Sequence, residues 1–274
     1  VSVLVQISDP HFGTERVPVA EALVQLVHGL APELVVLSGD ITQRATPTQF
    51  AAARAFADRL RPAAVLAIPG NHDVPLFNPF ARLFSPYARH QRAFGAELEP
   101  VHRSPDWLVI GVKTTRRWRH KHGQVSAAQI ERVAQALHGA SPAQVRVVVV
   151  HQPVAVARDR DATDLLRGHE AAVRRWSAAG ADLVAGGHIH LPYVLALHGL
   201  HADLARRAWC VQAGTAISSR TRAEAGNSVN VLRRSVDGAG RRHAVVERWD
   251  YVDVHGCFEQ AAQHDLDLET REAA

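Results

Sequence analysis

The chain has 274 residues, 47% of them hydrophobic and 21% charged, with a formal charge of +4. That composition excludes disorder for the bulk of the chain, and no apolar run nears the ~20 residues that cross a bilayer. Two cysteines, Cys210 and Cys257, are too few for a disulfide scaffold and lack metal-clip spacing, so a reducing, cytoplasmic setting is expected. The chain enters a strand-like segment at Val1, without the basic region or cleavage site of a secretory signal. Short apolar runs follow at 1–8, 34–38, 63–69, 107–112, 145–150 and 182–186. Most are continuous rather than alternating, the pattern of strands covered on both faces. Helical patterns lie between them: Ala20, Leu23, Val24 and Val27 share a face, as do Phe50, Ala53, Ala57 and Leu60. A third helix, with Ile130, Val133, Ala134 and Leu137 on one face, is announced by the capping-box spacing of Ser126 and Gln129. This alternation over the first 190 residues predicts an α/β domain with a largely parallel sheet.

The last third changes character. Segments 193–197, 209–212, 228–232 and 244–249 read as strands without intervening helices, with Asp237-Gly238 as a hairpin signal between the last two. They predict antiparallel strands belonging to a second sheet packed on the first. The domain is expected to span 1–258, and the polar stretch 259–274 to be a frayed helix or a disordered tail.

The unusual count is 17 histidines. Asp9-Pro10-His11 follows the first strand, Gly39-Asp40 the second and Gly70-Asn71-His72-Asp73 the third. His151 follows the strand at 145–150, and Gly187-His188-Ile189-His190 follows the one at 182–186. Ligands bind outside the carboxyl ends of strands in open α/β sheets, so these five clusters can converge on one point. Their side chains are a mixed set: four imidazoles (His11, His151, His188, His190), two carboxylates (Asp9, Asp40) and the amide oxygen of Asn71. Such a set suits divalent Mn, Fe or Zn better than Ca or Mg. Seven ligands are too many for one tetrahedral ion, but with Asp40 bridging they give each of two ions four ligands. Two ions about 3.5–4 Å apart are the arrangement that serves in-line phosphoryl displacement. Gly39, Gly70 and Gly187 would let the backbone turn sharply beside them.

In its ordered series of D-x-H, G-D, G-N-H-D, H and G-H-x-H, the chain resembles the calcineurin-like metallophosphoesterases over roughly residues 3 to 190. The resemblance implies one metal on Asp9, His11, Asp40 and His190 and the other on Asp40, Asn71, His151 and His188. It also implies a four-layer α-β-β-α sandwich of two mixed sheets flanked by helices. Gly39-Asp40-Ile41-Thr42-Gln43 looks most like the bacterial cyclic-nucleotide phosphodiesterase branch. The branch acting on UDP-diacylglucosamine usually carries Arg in place of His72, and the recombination-nuclease branch has Leu-Phe after Gly-Asp and an extra capping domain.

The expected activity is therefore hydrolysis of a cyclic nucleotide or similar small phosphodiester, by a hydroxide shared between two divalent ions. A phosphomonoesterase or nuclease on the same core is the first rival, and a non-catalytic metal-binding scaffold the second. His72 is not needed to complete either ligand set. It can serve as the acid that protonates the leaving oxygen, with Asp73 or another carboxylate orienting its ring, or it can merely bond backbone in a tight turn. In the most basic stretch, 116–122, Arg117 and Trp118 are candidates for holding a phosphate and stacking a base, against the alternative of a solvated loop. Arg220 and Arg222 are weaker candidates for the same role. A small phosphorylated substrate is expected as the partner, with nucleic acid less favoured; the sequence does not give the oligomeric state.

Overall fold

Strands that are apolar on both faces need cover on both faces, and the chain meets this by stacking two sheets and putting helices outside each. The computed structural model describes residues 1–61, 63–238 and 240–269. In chain order the elements are β1 (Ser2–Ile7), α1 (Val17–Leu30), β2 (Leu34–Leu37), α2 (Pro47–Arg59), β3 (Ala64–Ala67), α3 (Pro79–Phe84), α4 (Ala88–Phe94), β4 (Val101–Arg103) and β5 (Trp107–Gly111). There follow α5 (Ala127–His138), β6 (Val145–Val149), α6 (His169–Ala179), β7 (Leu183–Gly186), β8 (Tyr193–Ala196), α7 (Leu197–Leu200), β9 (Trp209–Gln212), β10 (Ser228–Val236), β11 (Arg242–Val252) and β12 (Cys257–Leu266). Among the described residues no helix is long and apolar enough to cross a membrane.

One sheet runs β12-β11-β10-β1-β2-β3 and the other β4-β5-β6-β7-β9-β8. Both are mixed. Strands β1, β2 and β3 are parallel, and β10, β11 and β12 extend them antiparallel. Strands β5, β6, β7 and β9 are parallel, with β4 and β8 antiparallel at the edges. Alternate residues of β2 show how the layers are built. Leu34 and Val36 enter the core between the sheets with Trp107, Val147 and Leu183. Val35 and Leu37 face the other way, onto Leu23, Val27 and Phe56 of the outer helices. On the far side, Val148 and Val150 pack on Val133, Leu137 and Trp176 from α5 and α6. The expected four-layer sandwich is thus the observed fold.

Local signals hold where they rest on hydrogen bonds. Ser126 Oγ accepts the Gln129 N–H at 3.2 Å and Gln129 Oε1 accepts the Ser126 N–H at 3.1 Å, the reciprocal cap predicted for α5. The hairpin at Asp237-Gly238 joins β10 to β11. Three expectations need correction. The early strands do not form one parallel sheet but are shared between two. Of the late strands, β10–β12 join the sheet of β1 while β8 and β9 join that of β7, and β9 lies parallel to β7. Finally, 257–266 is a strand rather than a frayed helix. It pairs with β11 along its length and buries Phe258 against Tyr251, with ring centroids 5.6 Å apart, while its outer face stays exposed. Such an edge strand is polar enough to read as a tail. The last five residues of the expected tail lie outside the described residues.

Polar links cross the apolar core between the sheets. Gln6 of β1 donates to Gly186 O of β7 at 2.9 Å, and Asn230 of β10 donates to Gln6 Oε1 and to Gln212 O of β9, each at 3.1 Å. At the start of β7, Asp182 forms a buried pair with Arg242 of β11, at 2.6 and 3.2 Å, and accepts the Arg146 N–H at 2.8 Å. These links fix the two sets of strand ends relative to each other, which is what the site requires.

Outside the first sheet, His90 of α4 is fully buried between Phe50 and Phe94, with ring centroids 6.2 and 5.4 Å away, and neither ring nitrogen has a hydrogen-bond partner. Burial pushes its pKa from 6.5 down to about 4. The unfolded chain binds a proton there below about pH 6.5 that the folded chain refuses, so this contribution to stability is complete above pH 6.5 and is lost as the pH falls toward 4. Between those limits His90 alone is expected to remove up to about 1.4 kcal/mol per pH unit. Denaturation midpoints of His90→Leu should therefore fall less steeply than the parent's from pH 6.5 to 4.5; parallel curves would contradict the assignment.

Candidate functional site

Five parallel strands, β1, β2, β3, β6 and β7, end at one rim of the sandwich, and each turns sharply to aim a polar side chain inward. The turning is visible in the backbone. Among the described residues seven non-glycine positions have positive φ, and five of them are Asp9 (50°), His11 (43°), Asp40 (46°), His188 (73°) and His190 (54°). This left-handed region is costly for any residue with a Cβ and is found where function over-determines the backbone. Gly39, at φ 100°, precedes Asp40, and a Cβ on it would meet His151 Nδ1 at 2.4 Å. A Cβ on Gly187 would meet Ser8 Oγ at 1.9 Å.

The donors gather in two groups. Asp9, His11 and His190 each place one ligand atom within 4.8 Å of the others, and so do Asp40, His151 and His188. In the first, His11 Nε2 and His190 Nε2 face each other at 3.1 Å, and Asp9 Oδ1 lies 3.3 Å from His190 Nε2. Asp40 stands between the groups: Oδ2 is 3.8 Å from His11 Nε2 while Oδ1 is 3.2 Å from His151 Nε2. Backbone carbonyls set the ring orientations. His190 Nδ1 donates to Arg220 O at 2.6 Å and His151 Nδ1 donates to Ser38 O at 2.9 Å, which turns both Nε2 atoms inward. Asn71 is buried beside them.

These residues fit a pair of metal ions on the evidence of their own unmet valences. Asp9 Oδ1, Asn71 Oδ1, His151 Nε2 and His188 Nδ1 are buried and have no hydrogen-bond partner, a costly condition in a protein interior. Charge tells the same story. Burial would raise the Asp9 and Asp40 carboxyls, but the surrounding histidines, His190 at Asp9 and His151 at Asp40, outweigh it and hold both well below the usual carboxylate range. Burial lowers the His11 ring to about 3, whereas, against burial, Asp40 raises His151 to about 9 and Asp9 raises His190, so an ion binding there would displace protons from those two rings.

His72 lies on the wall of this cleft. Its N–H donates to Asp40 Oδ1 at 2.7 Å and its Nδ1 donates to Gln43 O at 2.9 Å, leaving Nε2 4.0 Å from Asp40 Oδ2. Asp73 does not orient the ring. It is buried and accepts from the Gly70 N–H (2.9 Å), the Ile41 N–H (3.0 Å), the Thr42 N–H (2.7 Å) and Thr42 Oγ1 (2.8 Å). Asp73 thus ties the turn after β2 to the turn after β3, and reaches His72 only through the backbone it holds. Burial and the Asp40 charge push its carboxyl up to about 6.

The basic loop 116–122 reaches the rim, though not through the expected side chains. His120 and Lys121 line a cleft of about 390 Å³ with Asp40, Asn71, His72, His188, His190, Arg220 and Arg222. Arg117 instead donates to Leu83 O at 2.8 Å, and Trp118 is 68% exposed beneath its guanidinium. Asp164, which sequence reasoning missed, is in the same cleft. Its Oδ1 lies 3.6 Å from His188 Nε2 and 2.6 Å from Lys121 Nζ, and these two partners lower its carboxyl to about 2. It sits among three acids in the short helical turn Asp159–Asp164, away from any strand end, so no signal in the sequence singled it out.

Comparison with known proteins agrees with this geometry. The profile of the calcineurin-like phosphoesterase family matches residues 3–192. No individually curated protein matches significantly. Among solved structures, a dimetal phosphatase from Danio rerio is similar at 14% identity with a TM-score of 0.64, over 98% of this chain and 99% of that one. A purple acid phosphatase from yellow lupin (Lupinus luteus) seeds is similar at 11% identity and a TM-score of 0.65, over 96% of this chain and 53% of that one. Vacuolar Protein Sorting 29 from Cryptosporidium parvum is similar at 14% identity and a TM-score of 0.51, over 96% and 97%. At these identities the structural matches speak for the fold alone.

A carboxylate behind a metal-binding imidazole fixes its tautomer, and losing one costs metal affinity of about 10–100-fold. Asp164→Ala is therefore expected to weaken one of two Mn²⁺ binding events by that factor in calorimetric titration and to leave the other unchanged. Unaltered affinity for both ions would show that Asp164 serves only Lys121.

Proposed function

The chain belongs to the calcineurin-like phosphoesterase family, and from that premise we propose that it is a dinuclear metal-dependent phosphodiesterase acting on a cyclic nucleotide or similar small diester. The observation that carries this reading is the division of Asp40, one oxygen toward each donor group, with His72 Nε2 in the same cleft. Asp9, His11, Asp40 and His190 would hold one divalent ion, and Asp40, Asn71, His151 and His188 the other. Bound there, the ions supply Lewis acidity to the phosphoryl group and a nucleophile from water at neutral pH.

The rest falls to the protein. His72 is held through Nδ1, so Nε2 is the atom left free to give a proton to the departing oxygen in this reading. Asp73 holds the backbone on which His72 sits. Lys121 is paired with Asp164, and Arg222 with Asp161 at 3.1 Å, whereas Arg220 Nη1 donates to the neutral Gln43 Oε1 at 2.8 Å. That guanidinium can hold a phosphate oxygen of the substrate.

Protein loaded with Mn²⁺ should hydrolyse cyclic AMP and bis(p-nitrophenyl) phosphate faster than p-nitrophenyl phosphate; the reverse order would make it a monoesterase, and no turnover with Mn, Fe or Zn would leave a scaffold. His72→Ala should lose roughly 10²–10⁴-fold on cyclic AMP, whose leaving alkoxide needs a proton, and far less on the nitrophenyl diester. Equal losses on the two would assign His72 to positioning.

A further inference from the structure

A second hollow of about 200 Å³ opens beside the metal cleft, sharing Asn71, His72 and His120 with it. Its remaining wall is largely apolar, from Val74, Leu76 and Phe77. The Arg44 guanidinium stands 5.4 Å from the centre of the Phe77 ring. Folding accounts for Val74, which is buried, but not for Leu76 and Phe77. Phe77 is 75% exposed and Leu76 41%, and the adjoining helix α3 buries none of its residues. Single exposed apolar side chains need no explanation, but apolar groups gathered at the mouth of a polar site do.

We propose that this hollow is the leaving-group subsite and that it takes a nucleobase, with the attached phosphate in the metal cleft. The proposal rests on the phosphodiesterase reading in one respect. If His72 delivers its proton to the departing oxygen, the departing group lies on the His72 side, and the hollow is the space there. Its size and lining choose the occupant. About 200 Å³ holds one fused ring system, and Phe77 with the Arg44 guanidinium over its ring offers the aromatic and cationic groups on which every base can stack. Arg44 and Gln43 give the same hollow a polar edge, which suits the ring nitrogens and exocyclic groups of a base and would be wasted on an acyl chain.

The test is calorimetric binding of AMP, ribose 5-phosphate and octyl phosphate to the Mn²⁺-loaded full chain. AMP is expected to bind about tenfold tighter than ribose 5-phosphate or better, within the range that base stacking supplies. Phe77→Ala should abolish that preference by weakening AMP alone, Phe77→Trp should keep it, and Phe80→Ala, which alters an equally exposed ring outside the hollow, should leave it unchanged. Equal affinity for AMP and ribose 5-phosphate would overturn the subsite. Tighter, Phe77-dependent binding of octyl phosphate would overturn the base as its occupant. Phe77-dependent AMP binding in a protein that hydrolyses no diester would sink the hydrolase reading and leave the subsite standing. Diester hydrolysis with no AMP preference would do the opposite.

Discussion

Seven candidate donor side chains converge on two places a few ångströms apart, starting from five strand ends divided between two stacked sheets. A strand in ordinary extended geometry cannot turn so abruptly, so the chain takes left-handed backbone at Asp9, His11, Asp40, His188 and His190. Each such residue costs roughly 1–2 kcal/mol. Burying carboxylate and imidazole atoms without partners costs more again. Both costs fall together at this rim, and the links beneath it hold it in place.

The support has two levels. Close to the site, Asp73 binds the turn after β2 and the turn after β3 through four hydrogen bonds, and Ser8 Oγ and the His188 N–H both bond Asp9 Oδ2, at 2.6 and 2.9 Å. Asp9 lies in one sheet's turn and His188 in the other's, so the bond from His188 joins the sheets at the point where their donors meet. Deeper down, Gln6 and Asn230 cross the apolar core, and Arg242 grips Asp182 at the opposite end. A small shift of one sheet on the other would separate Asp9 and His11 from His190, and Asp40 from His151 and His188. The sandwich is therefore part of the catalytic apparatus, not merely its container.

Much of this was legible in the sequence, because the physical signals are local and abrupt. A run such as 147–150 that is wholly apolar and then meets His151 names both a buried strand and a residue at its end. The capping box at Ser126 fixes a helix start for the same reason. Which sheet each strand joins was not legible, since β2 and β6 are both short, buried and rich in Val, and carry no mark of their neighbours. The polar edge strand β12 concealed itself as a tail. In the loop 116–122 composition pointed to Arg117 and Trp118, yet a bond from Arg117 to Leu83 O turns those side chains away and presents His120 and Lys121 instead. Asp164 depends wholly on tertiary placement. Long-range contacts decide these cases, and no single segment encodes them.

The account stands on Asp40 serving both donor groups at once. Electron paramagnetic resonance of the protein titrated with Mn²⁺ tests this directly, because two Mn²⁺ ions sharing a carboxylate couple magnetically. The account predicts saturation at two ions per chain with the multiline signal of a coupled pair, and its loss in Asp40→Ala. Saturation at one ion, or two ions with uncoupled spectra that Asp40→Ala leaves intact, would contradict it.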